Sequence, residues 1–143
     1  MVLERRTEVR RGTVVIGPVD RVRIEPFEAA ARKEGAYLPH NLTSPSTILA
    51  AELASSDTLL GWIAVIHKPG SIANIRSWYV RPRFRWLGFG RRLLLAAIEE
   101  ARSAGYQKVE IRTAVQAVSR LGFVWTGYER KGGNQERAYR CNL

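Results

Sequence analysis

The chain is nearly without cysteine. Cys141 stands alone among 143 residues, so no internal disulfide can form. A single free thiol fits a reducing compartment, and the expectation is a cytoplasmic protein. Two histidines, His40 and His67, and scattered acids give no group with metal-ligand spacing, which argues against a metal centre. No apolar run approaches the roughly 20 residues that cross a bilayer, so no membrane partner is expected. Residues 1–12 carry arginines and glutamates but no apolar stretch, unlike a secretory signal. Internal repeats, linkers and low-complexity tracts are absent too.

What remains has the balance of a globular domain: 45% hydrophobic, 25% charged, and long enough for its own core. A single domain over residues 1–143 is the expectation. Acids are the scarce charge, 13 against 23 bases, for a net charge of +10. That balance favours anionic partners such as a phosphorylated cofactor or a nucleic acid. Scattered arginines are more often a solvated surface. The cluster Arg81, Arg83, Arg85, Arg91 and Arg92 is different, being dense and without an acid before Glu99.

Short apolar and β-branched runs predict strands at 13–16, 48–53, 59–67, 72–80, 108–112, 123–128 and 136–141. The run at 59–67 is almost continuously apolar, as a central strand would be. Pro26 to Ala31 predicts a helix, and 37–46 a loop or broken helix. Gly88 to Ala104 is the strongest helix, with Leu94, Ala97, Ile98 and Ala101 in one stripe and Gly105 as its stop. Residues 114–121 predict a shorter helix. The order implies a mixed α/β layer structure.

Between the strand at 72–80 and the helix lies Val80-Arg-Pro-Arg-Phe-Arg85-Trp86-Leu87-Gly88-Phe89-Gly90-Arg91. Strand, glycine loop and helix in that order suit a pyrophosphate. Glycines admit close approach, successive N–H groups face the anion, and the helix N-terminus adds partial positive charge. A glycine pattern alone arises by chance; its context and a later Leu121-Gly122-Phe123 strengthen it.

Over residues 48–128 the chain resembles the GNAT superfamily of acyl-CoA-dependent N-acyltransferases. Val-x-Pro-x-x-Arg-x-x-Gly-x-Gly and Leu-Gly-Phe carry the resemblance. It implies an α/β (α+β) fold: a mixed, mostly antiparallel central sheet flanked by helices, splayed between the strands at 72–80 and 108–113. It implies acetyl-CoA as co-substrate, its phosphates on the amides of Trp86, Leu87, Gly88, Phe89, Gly90 and Arg91, with Arg85 and Arg91 adding charge. The pantetheine arm would pair with Tyr79 and Val80, and the Val80 amide would receive the oxyanion. The acceptor is a primary amine of a small molecule or peptide, and a homodimer accords with the family.

Two positions depart from the family pattern. Where many members place a thiolate-protonating tyrosine stands Val118, and where several place a basic glutamate stands Asn74. Neither side chain moves a proton at neutral pH. Positioning, a water relay and a fair leaving group can still carry the reaction. Two rival readings stay open: a non-catalytic acyl-CoA-binding regulatory module, and a nucleic-acid-binding protein supported by charge alone. His67, His40 and Glu52 are alternative bases, each more often structural or exposed. Tyr106, Tyr128 and Tyr139 read as packing residues, Trp62 and Trp78 as core or cleft wall, and Cys141 as inert.

Overall fold

A computed structural model of the chain describes residues 13–34, 45–54, 56–113, 116–131 and 134–143. The strands are β1 (Val14–Pro18), β2 (Ser46–Leu53), β3 (Leu59–Ile66), β4 (Ile72–Val80), β5 (Lys108–Thr113), β6 (Val124–Lys131) and β7 (Asn134–Asn142). Helix α1 is Glu28–Lys33 and helix α2 is Phe89–Ser103; short 3₁₀ turns fill 21–27, 82–84 and 116–121. All strands form one seven-stranded sheet in the order β1-β2-β3-β4-β5-β7-β6. Every pairing is antiparallel except β4 with β5. The mixed, mostly antiparallel sheet expected from the sequence is therefore present.

The apolar run at 59–67 becomes β3, buried along its whole length because both faces are covered. On one face α2 lays down Leu93, Leu94, Ala97, Ile98 and Ala101 against Leu49, Ile63, Val65, Ala73 and Ile75. On the other, Ile24, Phe27 and Ala31 close over Ile48, Trp62, Ala64, Ile66 and Tyr79. The predicted helix at 26–31 is a 3₁₀ turn, Glu25–Phe27, leading into α1. The short helix expected over 114–121 is 3₁₀ at Gln116–Leu121; residues 114–115 and the loop residues 37–44, with His40, lie outside the described residues.

Helix α2 ends where Gly105 adopts φ +91°. The Gly105 amide reaches Arg102 O at 3.0 Å and the Tyr106 amide reaches Ala101 O at 3.1 Å, a Schellman stop.

One irregularity shapes the sheet. In β4, Ser77 takes φ +54° and the register against β3 slips between Trp62 and Ala64, so Ser77 and Trp78 face a single residue, Ile63. The buried Trp62 indole donates to Ser77 Oγ at 3.1 Å and pins this bulge. Bulges bend the strand that carries them. Accordingly β4 pairs with β5 only from Ile72–Lys108 to Ile75–Ile111. Beyond that the two strands part, as the splayed sheet requires.

Candidate active site

The parting strands open a cleft of about 600 Å³. Arg76 through Val80 form one wall and Ile111, Arg112 and Thr113 the other, with Gly88, Phe89 and Gly90 at its mouth. The Trp78 indole donates to the Gly90 carbonyl at 3.0 Å and ties β4 to the first turn of α2. A second cavity of about 340 Å³ shares Trp78 and adds Arg91, Val118, Arg120 and Leu121.

Backbone direction follows from register. The Arg81 amide donates to the Leu60 carbonyl at 2.9 Å, and Val80 stands opposite Gly61. Alternation along an antiparallel ladder turns the Val80 amide away from β3, toward the space β5 has vacated. Its carbonyl, on the same side, accepts Arg85 Nε at 2.7 Å. This close approach of β3 to β4 depends on Gly61, where an added Cβ would lie 2.4 Å from the Tyr79 carbonyl.

The glycine loop presents bare amides. The first helical bond of α2 runs from Arg92 N to Gly88 O, and the amides of Trp86 through Arg91 find no acceptor among the described residues. Gly88, at φ +88°, provides no capping side chain, and the first turn holds no acid. Trp86 also takes positive φ, +66°, and stands almost fully in solvent. A helix start with uncapped amides and arginines in place of acids runs against the macrodipole, unless an anion binds there.

The arginine cluster divides by role. Arg81 donates to Leu59 O at 2.8 Å and lies 4.4 Å over the Phe27 ring. Arg92 reaches Val14 O at 3.3 Å. Arg85 is committed to protein partners: besides Val80 O, it grips both carboxylate oxygens of Glu34 at 2.9 and 2.8 Å. Arg83 and Arg91 make no ion pair among the described residues.

Glu34, which the sequence reading did not single out, thus joins the end of α1 to the glycine loop. The Arg85 hydrogen bonds hold its carboxyl below the usual carboxylate range. The buried Tyr79 hydroxyl lies against this carboxylate without a well-formed hydrogen bond; burial first, then Glu34, push its pKa above the ordinary tyrosine value. A depressed carboxylate stabilises above its unfolded pKa, and that contribution is lost as pH falls through the folded one. The difference in Tm between the parent and Glu34→Gln should therefore hold steady between about pH 5 and 8 and shrink below about pH 4. A difference that persists undiminished in acid would show that it does not come from the ionised carboxylate's pairing with Arg85.

The other candidates fall where packing needs them. Val118 is fully buried and lines the second cavity. Asn74 is half-buried on β4, beside Glu110 of β5. His67 bonds Thr47 Oγ1 at 2.8 Å and lines neither cavity. Glu52 is paired with Arg23. The Tyr106 hydroxyl donates to Lys68 O at 2.7 Å, and Tyr139 is core. The Tyr128 side chain lies outside the described residues. Burial raises the Cys141 thiol pKa, so it is no ready nucleophile. Among the described residues no cluster of metal-ligating side chains occurs, and no helix is long and apolar enough to cross a membrane.

A mixed sheet splayed at a bulged strand, with a helix start of unpartnered amides at the mouth of the splay, is the architecture of an acyltransferase-type fold. The sequence model of the acetyltransferase (GNAT) family matches residues 18–123, and the chain belongs to that family. Solved structures agree in fold. An acetyltransferase of the GNAT family from Staphylococcus aureus superposes with a TM-score of 0.68 at 16% identity, covering 92% of this chain and 99% of that one. A putative acyl-CoA N-acyltransferase from Klebsiella pneumoniae gives 0.73 at 17%, covering 92% and 97%. N-acetylglutamate synthase from Neisseria gonorrhoeae, complexed with coenzyme A and L-arginine, gives 0.71 at 19%, covering 92% of this chain but 34% of that longer one. No curated protein matches the chain in sequence.

Proposed function

We propose that the protein transfers an acetyl group from acetyl-CoA to a primary amine. The observation that carries this reading is the row of amides from Trp86 to Arg91, unpartnered among the described residues, with Gly88, Phe89 and Gly90 at the mouth of the cleft. Unpaired N–H groups of a helix start are the natural seat of a pyrophosphate. Arg91 stands beside them free of any described carboxylate and adds charge. The pantetheine arm then runs along Tyr79 and Val80 as an added strand would. That course places the thioester where β4 and β5 part, with the Val80 amide directed at the developing oxyanion.

The uncharged amine attacks the thioester carbon and forms the C–N bond. The tetrahedral intermediate collapses with cleavage of the C–S bond, CoA leaves as thiolate, and the ammonium proton passes to water. No described side chain at the positions of Asn74 or Val118 can take or give that proton. The kcat–pH profile on a given amine should therefore rise with deprotonation of that amine alone. Asn74→Ala should lower kcat no more than about tenfold. A basic limb that vanishes on changing Glu52 or His67 would contradict this.

A second reading is favoured by the same two positions: a module that binds acyl-CoA and does no chemistry. Acetyl-CoA turnover against a panel of amines separates the two. Transfer to any amine supports the enzyme. Tight CoA binding with no transfer, and no gain from Val118→Tyr, supports the module.

A further inference from the structure

We infer that the acceptor amine carries an anionic group, a carboxylate or a phosphate, which binds at Arg76 on the face of the cleft opposite α2. The inference rests on the acetyl-transfer reading and deepens it by naming the acceptor's class.

Register places Arg76. It pairs with Ala64, and Asn74 pairs with Ile66; both partners belong to the core on the α1 side of the sheet. Ala73 and Ile75, between them, belong to the core beneath α2. Arg76 is thus the first residue of β4 beyond its pairing with β5, lines the cleft, and stands on the α1 side. The glycine loop and α2 start lie at the other face, where the cofactor's phosphates go. With the thioester held between the strands, the face left for the incoming amine is the one Arg76 occupies.

The charge balance of that face is uneven. Arg76 makes no hydrogen bond or ion pair among the described residues, although it is only partly exposed. Arg112, the first residue of β5 past the pairing, lines the facing wall. It approaches Glu110 at 3.7 Å, and Glu110 is held at 2.7 Å by Arg140 as well. The described carboxylate that lines the cleft itself, Glu34, is occupied by Arg85 through both oxygens. Every described carboxylate near the cleft is therefore neutralised, and Arg76 is left over. A half-buried guanidinium with its donor fork unused seeks a carboxylate or a phosphate, which it can grip with two parallel bonds. The same wall repels polyamines and other polycationic acceptors.

The test compares matched amines with the parent, Arg76→Gln and Arg76→Lys proteins. Glycine, β-alanine and 4-aminobutyrate are set against their carboxamides, and O-phosphoethanolamine against ethanolamine, with spermidine as the polycation. Transfer from acetyl-CoA gives kcat/KM for each pair. In parallel the CoA-saturated protein is titrated with the same compounds while the arginine Nε–Hε signals are followed by NMR. Loss of one charge-assisted contact should change the ratio within a pair by about tenfold or more. The acid should be preferred by that factor, the preference should collapse in Arg76→Gln and partly return in Arg76→Lys, and CoA affinity should be the same in all three proteins. The Arg76 signal should move with the acids and not with the amides. The carboxylate and phosphate arms show which anion is taken. Equal transfer to neutral amines or spermidine, a preference that survives Arg76→Gln, or an Arg76 signal that no acid moves would each overturn the inference. An Arg76 signal that responds to acids while no amine is ever acetylated would leave the anion site standing and sink the transfer reading instead.

Discussion

Gly61→Ala should unseat β4 and weaken the domain by about 2 kcal/mol or more, the cost of forcing a methyl into a filled site. The added Cβ would stand 2.4 Å from the Tyr79 carbonyl, 3.0 Å from Val80 Cα and 3.3 Å from Leu93 Cδ1. Two of those neighbours are backbone and cannot step aside. The strand must shift instead, at the two residues proposed to hold the pantetheine arm. A Tm lower by on the order of 5 °C or more is expected for a domain of this size. CoA affinity should fall with it. Gly17→Ala is the matched control, since nothing lies within 4 Å of its added Cβ. It should change Tm little in either direction. Equal behaviour of the two variants would mean that the contact of Gly61 with β4 is not what shapes this wall.

Gly90→Val should remove CoA binding while sparing the fold. An added Cβ at Gly90 meets Val80 Cγ2 at 3.6 Å and Trp78 Cζ2 at 3.7 Å, ordinary contacts, so the apo protein tolerates it. The branches of a valine then occupy the mouth of the cleft and keep a pyrophosphate off the amides behind them. Loss of two or more charge-assisted hydrogen bonds corresponds to a fall in affinity on the order of 100-fold. Pantetheine, which has no pyrophosphate, should lose far less. Gly88→Val tests the same loop by another route. Gly88 sits at φ +88° with open space around it, so the valine is strained by backbone geometry, at about 1–2 kcal/mol, rather than by collision. Calorimetry with CoA and pantetheine on folded Gly90→Val protein checks the prediction, and undiminished CoA binding contradicts it.

Much of this site was legible in the sequence because it is local. The bounds of β4 at Ile72 and Val80 follow from a turn before and Pro82 after, and the loop and α2 follow from glycine placement and one apolar stripe. Both departures, Asn74 and Val118, could be counted from the glycines, and the structure places Val118 in the core beside the second cavity. What escaped is long-range. Nothing in Arg76-Ser77-Trp78 asks for φ +54° at a serine; the Trp62 indole on the neighbouring strand holds it there. Glu34 meets Arg85 across 51 residues. The five arginines of the cluster look alike in sequence, yet Arg81, Arg85 and Arg92 are tied to carbonyls while Arg83 and Arg91 find none among the described residues. Which guanidinium is left over, including Arg76, is decided by who its neighbours are after folding. No local pattern encodes that.

The central claim is that the amides from Trp86 to Arg91 hold the cofactor's pyrophosphate. It is tested most directly by titrating CoA into uniformly ¹⁵N-labelled protein and following the backbone amides. The account predicts that the signals of residues 86–91 move most, that the Val80 amide moves when acetyl-CoA replaces CoA, and that pantetheine leaves residues 86–91 nearly where they were. Saturating CoA that leaves those amides unmoved, or that shifts only signals elsewhere on the basic surface, would contradict it.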